Sequence, residues 1–403
     1  MQRADWVVPA HVPDELVFDF DFYRPEGAGR DVQLAIKRLQ DEKYPAIFWS
    51  PRNGGHWVAT CGEDIHTIFA DSENFSSKRT AIPGTSQPPF PFFPILSDPP
   101  EHTVYRALLN PSFSPKAIGI LEPYARAVAV RLIEELKPRG RCEFVAEFAQ
   151  FMPVEVFITI VDVPRSDRDR LLEWAVGIVR PKSPEAVAST LEEVFEYARE
   201  KIAARRAKPG NDLITKLTRA QVSDRPLSDD EVTGMVSLIL LGGLDAVIAS
   251  LSFAALFLAQ SPQHRKQLID DPTLIIRAVD EMLRRFPVAN TGRLVARDLV
   301  YKNVAMKAGD MMLLPTVLNG LDERRFPSPL EVNFQRSRLP NSTFGNGAHR
   351  CPGQNLARTE IKVFLEEWLP RIPEFRLVPD TAVPMAAGMV SSVLELHLEW
   401  DVI

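Results

Sequence analysis

Cysteine is scarce in this chain: Cys61, Cys142 and Cys351 are the only three. The count is odd and no pair has CxxC spacing, which excludes a disulfide framework and argues against a structural zinc site. The seven histidines form no HExxH pair, so the helical zinc-protease motif is absent. Positive charge is short as well. Lys and Arg total 47 against 53 Asp and Glu, a net charge of −6, and there is no long basic run. Nucleic acid is therefore not expected as the main partner. The opening residues, Met1 to His11, lack the apolar core of a secretory signal, which makes the cytoplasm the expected compartment. No Gly/Ser linker, low-complexity block or internal repeat marks a boundary within the 403 residues, although length alone would allow about two or three domains.

What the chain does have is a large apolar fraction, 45% against 25% charged, enough for a sizeable core. Periodicity predicts helices over 31–43, 63–70, 115–137, 144–162, 166–179, 185–207, 264–270 and 275–285. Aromatic and β-branched runs at 46–50 and 56–60, on either side of Asn53-Gly54, predict a hairpin. Strands are expected over 299–306 and 311–318, with β-like runs near 375–378 and 393–398. The fold class is mainly α with a small β region.

The longest hydrophobic segment begins at a capping box, Ser228 answered by Glu231. It is predicted as one helix reaching Gln260, roughly 45–50 Å at 1.5 Å per residue. Met235 to Ala259 holds one charged residue, Asp245. The segment is long enough to cross a membrane, but a central charge is costly in lipid, and a buried core helix is the expectation. Within Leu240-Leu-Gly-Gly-Leu-Asp245-Ala246, two adjacent glycines cost about 1 kcal/mol each relative to alanine. Either a neighbouring helix packs into that notch or something flat approaches the backbone. Residues 88–96, Pro-Pro-Phe-Pro-Phe-Phe-Pro-Ile-Leu, cannot form a regular helix. They make either a loop over the core or one wall of an apolar pocket. His102 and Arg106 share a helix face that suits solvent or an anion, and Glu281 and Arg284 are spaced to pair.

The densest chemistry lies in Thr343-Phe344-Gly345-Asn346-Gly347-Ala348-His349-Arg350-Cys351-Pro352-Gly353, with a helical pattern straight after it. This loop, Glu281-Met-Leu-Arg284 and Leu241-Gly-Gly-Leu-Asp-Ala246 together resemble, in order and spacing, the haem loop, ExxR motif and oxygen-activation helix of cytochrome P450 enzymes. The likeness covers nearly the whole chain. It is nearest to the soluble bacterial camphor-hydroxylase type, through Gly54-Gly-His-Trp57, Asp98-Pro-Pro-Glu101, Leu321-Asp-Glu-Arg324 and Gly353-Gln-Asn-Leu-Ala-Arg358. It implies one haem-thiolate domain over 1–403, monooxygenase activity, and haem b with Cys351 as axial thiolate. Such a ligand pushes electron density toward O–O cleavage. A helix N-terminus at Cys351, with Pro352 in first position, would favour the anion. The resemblance also implies that His102, Arg106, Arg293 and His349 hold the haem propionates through charge-assisted bonds. Gly242, Phe344 and Gly353 would lie against the macrocycle, with Gly345 and Gly347 letting the loop backbone crowd it. Glu281 and Arg284 would be structural.

On the opposite side the chain departs from the family pattern of an acid followed by threonine: Asp245 is followed by Ala246. Asp245 remains a candidate proton relay, paired by likeness with Arg180. The missing hydroxyl leaves two readings: a lesion that leaks hydrogen peroxide, or replacement by an ordered water or a substrate hydroxyl. The same motifs place Phe90, Phe92, Ile95, Leu238, Leu241, Ala289, Met389 and Val390 around the substrate. Phe90 stands where the camphor enzyme has a ketone-binding tyrosine, and an apolar ring cannot donate that bond. The expected substrate is a compact apolar monoterpenoid or norisoprenoid, with camphor a poor fit. No flavin or nicotinamide domain is fused on, so O₂ chemistry would draw electrons from a 2Fe–2S ferredoxin and its reductase, docking near Arg106. A peroxide-using haem-thiolate enzyme and a non-catalytic haem-binding sensor or carrier are the alternatives.

Overall fold

The structure, a computed structural model, describes residues 6–41, 43–83, 90–179, 183–337 and 340–402. Helices account for 52% of the chain, and their apolar faces join one core. The Pro115–Leu136 helix starts with Ser114 accepting from the Ala117 N–H and proline in first position, both favourable at an N-terminus. It packs along the Gln354–Arg371 helix. Beside this pair Phe144, Phe148, Phe364 and Trp368 gather with ring centroids 5.2 to 5.7 Å apart. All four rings are fully buried, worth about 2 kcal/mol each or more. That anchorage fixes the helix whose N-terminal end carries the cysteine loop.

A five-stranded sheet runs in the order Ile47–Ser50, His56–Ala59, Met311–Pro315, Asn290–Val295, Phe75–Ser76. The expected hairpin is present, with Trp49 opposite Trp57. Asn290–Val295, to which sequence reasoning assigns no element, pairs antiparallel with Met311–Pro315, and Arg293 faces Met312 in the register. The segment expected as one strand over 299–306 is two, Leu299–Tyr301 and Val304–Met306. The chain folds back at Lys302 and Asn303, with φ of 49° and 66°. The strand expected over 311–318 ends at Pro315 and turns into a short helix, Thr316–Gly320, since proline has no N–H for the ladder.

Helix boundaries shift where side chains compete with the pattern. Asp31 caps a short helix, Val32–Lys37, which tightens into a 3₁₀ turn at Arg38–Gln40. The 144–162 helix opens as a π-helical turn, Val145–Ala149, before Phe151–Val161. The capping box at Ser228 and Glu231 forms as expected, but the long helix is two: Asp229–Gly242 and Asp245–Gln260. A Cβ on Gly243 would lie 2.9 Å from the Phe157 ring, so this glycine is the packing notch. The combined span is long and apolar enough to cross a membrane, with 61% of its most apolar window buried inside the protein, as for a core helix.

Candidate active site

The cysteine loop closes on itself where the Cys351 N–H donates to the Phe344 carbonyl at 2.9 Å. Asn346 donates to Ser342 Oγ at 2.9 Å, the Ser342 N–H to Asn319 at 2.8 Å, and Thr343 Oγ1 to the Leu283 carbonyl at 2.8 Å. Gly345 and Gly347 have φ of +66° and +64°, and a Cβ on Gly347 would lie 2.9 Å from Ala70 Cα. These two glycines answer to the loop's turns and to its seat on the Gly62–Ala70 helix. The helix after the loop begins at Gln354, later than expected, so Pro352 lies in the turn before it and Gly353 is the N-cap. Burial pushes the Cys351 thiol up, against the N–H groups of Gly353 and Gln354 and the cations Arg106 and Arg358, which pull it down. Burial wins, so these groups alone do not make the expected anion. A coordinated metal would supply the missing charge.

Behind the loop, the Glu281 carboxylate accepts from Arg284 Nε and Nη2 at 2.8 Å each, from Arg336 Nε at 2.9 Å and from the Asn333 N–H at 3.0 Å. Arg284 also donates to the carbonyls of Gly320, Pro329 and Glu331 at 2.7–3.0 Å. Arg358 bonds Asp280 at 2.9 Å and lies 4.7 Å over the Phe344 ring. The Glu281–Arg284 pair is as expected from its spacing, whereas the contacts of Arg336 and Arg358 join segments far apart in the chain.

The expected propionate partners do converge. The rings of His102 and His349 are 4.1 Å apart. Both ring nitrogens of His102 and Nε2 of His349 are buried with no hydrogen-bond partner among the described residues, a costly state for polar groups. Burial first, then neighbouring cationic groups, pushes His102 down to about 4 and His349 to about 3. His349 responds to His102, Arg293 and Arg106 in that order. Arg293 is 4% exposed, and burial lowers it to about 10. Its guanidinium donates to the Gly292 carbonyl and lies 5.0 Å over Phe69, with no carboxylate partner among the described residues. Arg106 differs: it donates to the Arg350 carbonyl and, at 2.8 Å, to Asn110, which leaves Nη1 for an anion.

The central helices carry an uncovered stripe. Leu238, Leu241 and Ala246 are half-buried and Gly242 is exposed, in helices that are otherwise mostly buried, and a Cβ on Gly242 would meet nothing within 4 Å. The two readings of the glycine pair therefore divide, with Gly243 the notch and Gly242 the open backbone. Asp245 is buried and occupies the first position of its helix, while Arg180 lies outside the described residues. Ala289 bridges Val390, and the Asn290 N–H donates to the Met389 carbonyl at 2.9 Å. Phe90 and Phe92 meet Phe195 at 4.7 and 5.6 Å. Ile95 is 39% exposed.

The cytochrome P450 family model matches residues 180–394, a span that contains the split helix, the Glu281 network and the cysteine loop. This chain belongs to the cytochrome P450 family. It is 32% identical to the probable cytochrome P450 127A1 of Sinorhizobium fredii over 402 residues, 98% of this chain and 97% of that protein. It is 33% identical to a steroid C26-monooxygenase of Mycobacterium tuberculosis, covering 95% and 96%. The crystal structures of CYP101J2 and CYP101C1 superpose with TM-scores of 0.90 and 0.91, each 39% identical and covering 98% of this chain and all of theirs. The chain is thus a cytochrome P450 monooxygenase, with structural neighbours of the bacterial P450cam type. The family's cofactor is haem b on an axial cysteine thiolate. The site fits that group: unpartnered imidazoles and a buried guanidinium await carboxylates, and Gly242 leaves room for a flat macrocycle.

Proposed function

We propose that Cys351 is the axial ligand, and that His102, Arg106, Arg293 and His349 hold the propionates. Phe344, Gly353 and Gly242 lie against the macrocycle. The observation that carries this is the buried cluster of His102, His349 and Arg293, to which no carboxylate among the described residues is hydrogen-bonded; Asp98 acts on it only through its charge, its oxygens being held by Ser76 and Ser77. Haem supplies the O₂ chemistry that puts one oxygen atom into a C–H bond and reduces the other to water. The chain's own residues shape the pocket, exclude water and move protons. Phe90, Phe92, Ile95, Leu238, Leu241, Ala289, Met389 and Val390 offer no charged or amide group, so a compact apolar terpenoid or norisoprenoid is held by shape. The enzyme works in the cytoplasm as a single domain.

Asp245 moves protons in this scheme, without the hydroxyl that usually follows it. The hydroxyl one turn along, Ser250 Oγ, donates to the Ala246 carbonyl at 2.8 Å and does not take its place. Ala246→Thr is therefore expected to raise product per O₂ and to lower peroxide by about tenfold, less than the loss of a whole proton-transfer group because Asp245 stays. Measured coupling that does not improve would favour delivery through water or the substrate. Efficient turnover on added peroxide alone would favour a peroxide-using enzyme.

Electrons come from a 2Fe–2S ferredoxin and its reductase. Support comes from a cleft of about 420 Å³ that reaches Arg350, whose carbonyl Arg106 holds; five arginines line it, Arg277, Arg284, Arg336, Arg350 and Arg358, against two acids, Asp280 and Glu281. Opposite charge on a partner speeds encounter. Arg106→Glu should slow reduction by ferredoxin about tenfold or more at low salt, while dithionite still reduces the protein at the parent rate. Stopped-flow traces unchanged with ferredoxin would remove the docking face.

A further inference from the structure

The Asp229–Gly242 helix has a second glycine, Gly234, one turn before Leu238. Glycine there costs about 1 kcal/mol relative to alanine, and no turn or positive φ calls for it. The reason lies across the interface. A Cβ on Gly234 would sit 2.0 Å from the Pro91 carbonyl oxygen and 2.8 Å from its carbon. Both are backbone atoms, so no side chain could swing aside.

Pro91 belongs to the aromatic segment Phe90–Ile95. That segment is braced internally: the Pro91 carbonyl accepts from the Phe93 N–H at 2.9 Å, and the Phe92 carbonyl from the Leu96 N–H at 3.0 Å. It is gripped from two further sides. Phe93 stacks flat on Tyr105, centroids 3.9 Å apart and planes 6° apart. The Tyr105 hydroxyl donates to Glu231, which Arg225 holds with two bonds of 2.7 and 2.8 Å. Glu231 is also the capping-box acid of the helix that carries Gly234. On the other side Phe90 and Phe92 rest on Phe195, and Arg199 lies 4.7 Å over Phe90. The wall and the first turns of this helix are thus joined twice, backbone on backbone at Gly234 and through Tyr105 at Glu231.

We propose that Gly234, with Tyr105 latched to Glu231, is the seat that sets how far the Phe90–Ile95 wall reaches over the pocket, and so selects substrate by size. Neither residue lines the pocket; both are positioning residues. Residues 234 and 238 lie on one helix face, so the wall rests directly beside Leu238. A methyl at 234 must lift the wall away from the helix. The pocket then deepens, and small ligands lose their fit before larger ones do. The proposal rests on the pocket reading above, that Phe90 and Phe92 face the substrate.

The test compares holoenzymes carrying Gly234→Ala, Tyr105→Phe and Phe92→Ala with the parent. Spin-state titrations give Kd for a small probe, pinane, and a larger one, a norisoprenoid ketone. Gly234→Ala is expected to weaken pinane about tenfold relative to the ketone, the scale of a lost methylene contact, with the thiolate-type ferrous–CO spectrum intact. Tyr105→Phe keeps the stack, loses the latch, and should shift the same ratio by less. A merely structural role for Gly234 would lower the thermal midpoint and leave the ratio of the two Kd values where it was, and that result overturns the proposal. If Gly234→Ala takes up no haem, Tyr105→Phe decides on the same ratio. Phe92→Ala should alter the binding of both probes. If it alters neither, the pocket reading fails and the proposal with it; if it does while the seat variants leave the ratio unchanged, only the proposal fails.

Discussion

Arg284→Met yields no folded haem protein: that is the expected result, read as loss of the cooperative circular-dichroism melt and of haem per chain. Arg284 and Glu281 are both buried, and the arginine makes two bonds to the acid and three to the carbonyls of Gly320, Pro329 and Glu331. Removing one partner of a buried pair costs about 3–5 kcal/mol. Each carbonyl left without a donor adds about 1–3 kcal/mol. The sum reaches the whole stability of an ordinary domain, about 5–15 kcal/mol. Arg284→Lys keeps the charge but not the planar fork, and should fold with a lower melting temperature. The pH dependence has a definite sign. Burial alone would raise Glu281, yet Arg284, the Asn333 N–H and Arg336 hold it below its ordinary 4.5. The stabilisation is then fully present above about pH 4.5 and is lost as pH falls through the lower folded value. The lysine variant should unfold at a higher pH than the parent during acid titration. A methionine variant that melts like the parent with full haem would show that the network carries no stability.

Cys351→Ser should leave haem bound through the propionate partners, without the ferrous–CO spectrum of thiolate ligation. Monooxygenase turnover is expected to fall below about a thousandth of the parent rate, which corresponds to about 4 kcal/mol at the barrier. Cys61→Ser and Cys142→Ser serve as controls. Both thiols are buried elsewhere in the core, and burial pushes Cys142 far up as a thiol. Retention of the thiolate spectrum by the Cys351 variant would move the ligand to another residue.

The cysteine loop and Glu281–Arg284 are compact in sequence, and their order along the chain carries the family resemblance. The distant group of His102, Arg106, Arg293 and His349 follows only from that resemblance. Arg336 reaches Glu281 across 55 residues and Arg358 reaches Asp280 across 78, and no spacing rule foretells either contact. The strand that holds Arg293 escapes notice because Asn290-Thr-Gly-Arg has a weak β pattern, and only its partner Met311–Pro315 makes it a strand. The break after Gly242 is hidden because the helix is apolar on both sides of it. What decides it is the fit of Gly243 to Phe157, a contact across the core. Gly234 is invisible for the same reason, since its counterpart Pro91 lies on another segment.

Arg106 on an early helix meets the carbonyl of Arg350 at a sequence separation of 244 residues, and Arg293 joins them from a strand of the central sheet. The chain must be made through Arg350 before these three can meet, and chain topology of this kind slows folding. If these residues hold the haem as proposed, a growing chain still short of Arg350 lacks part of its site. Haem capture would be a late event after synthesis, and the amount of haem per chain would serve as a census of molecules that have finished folding.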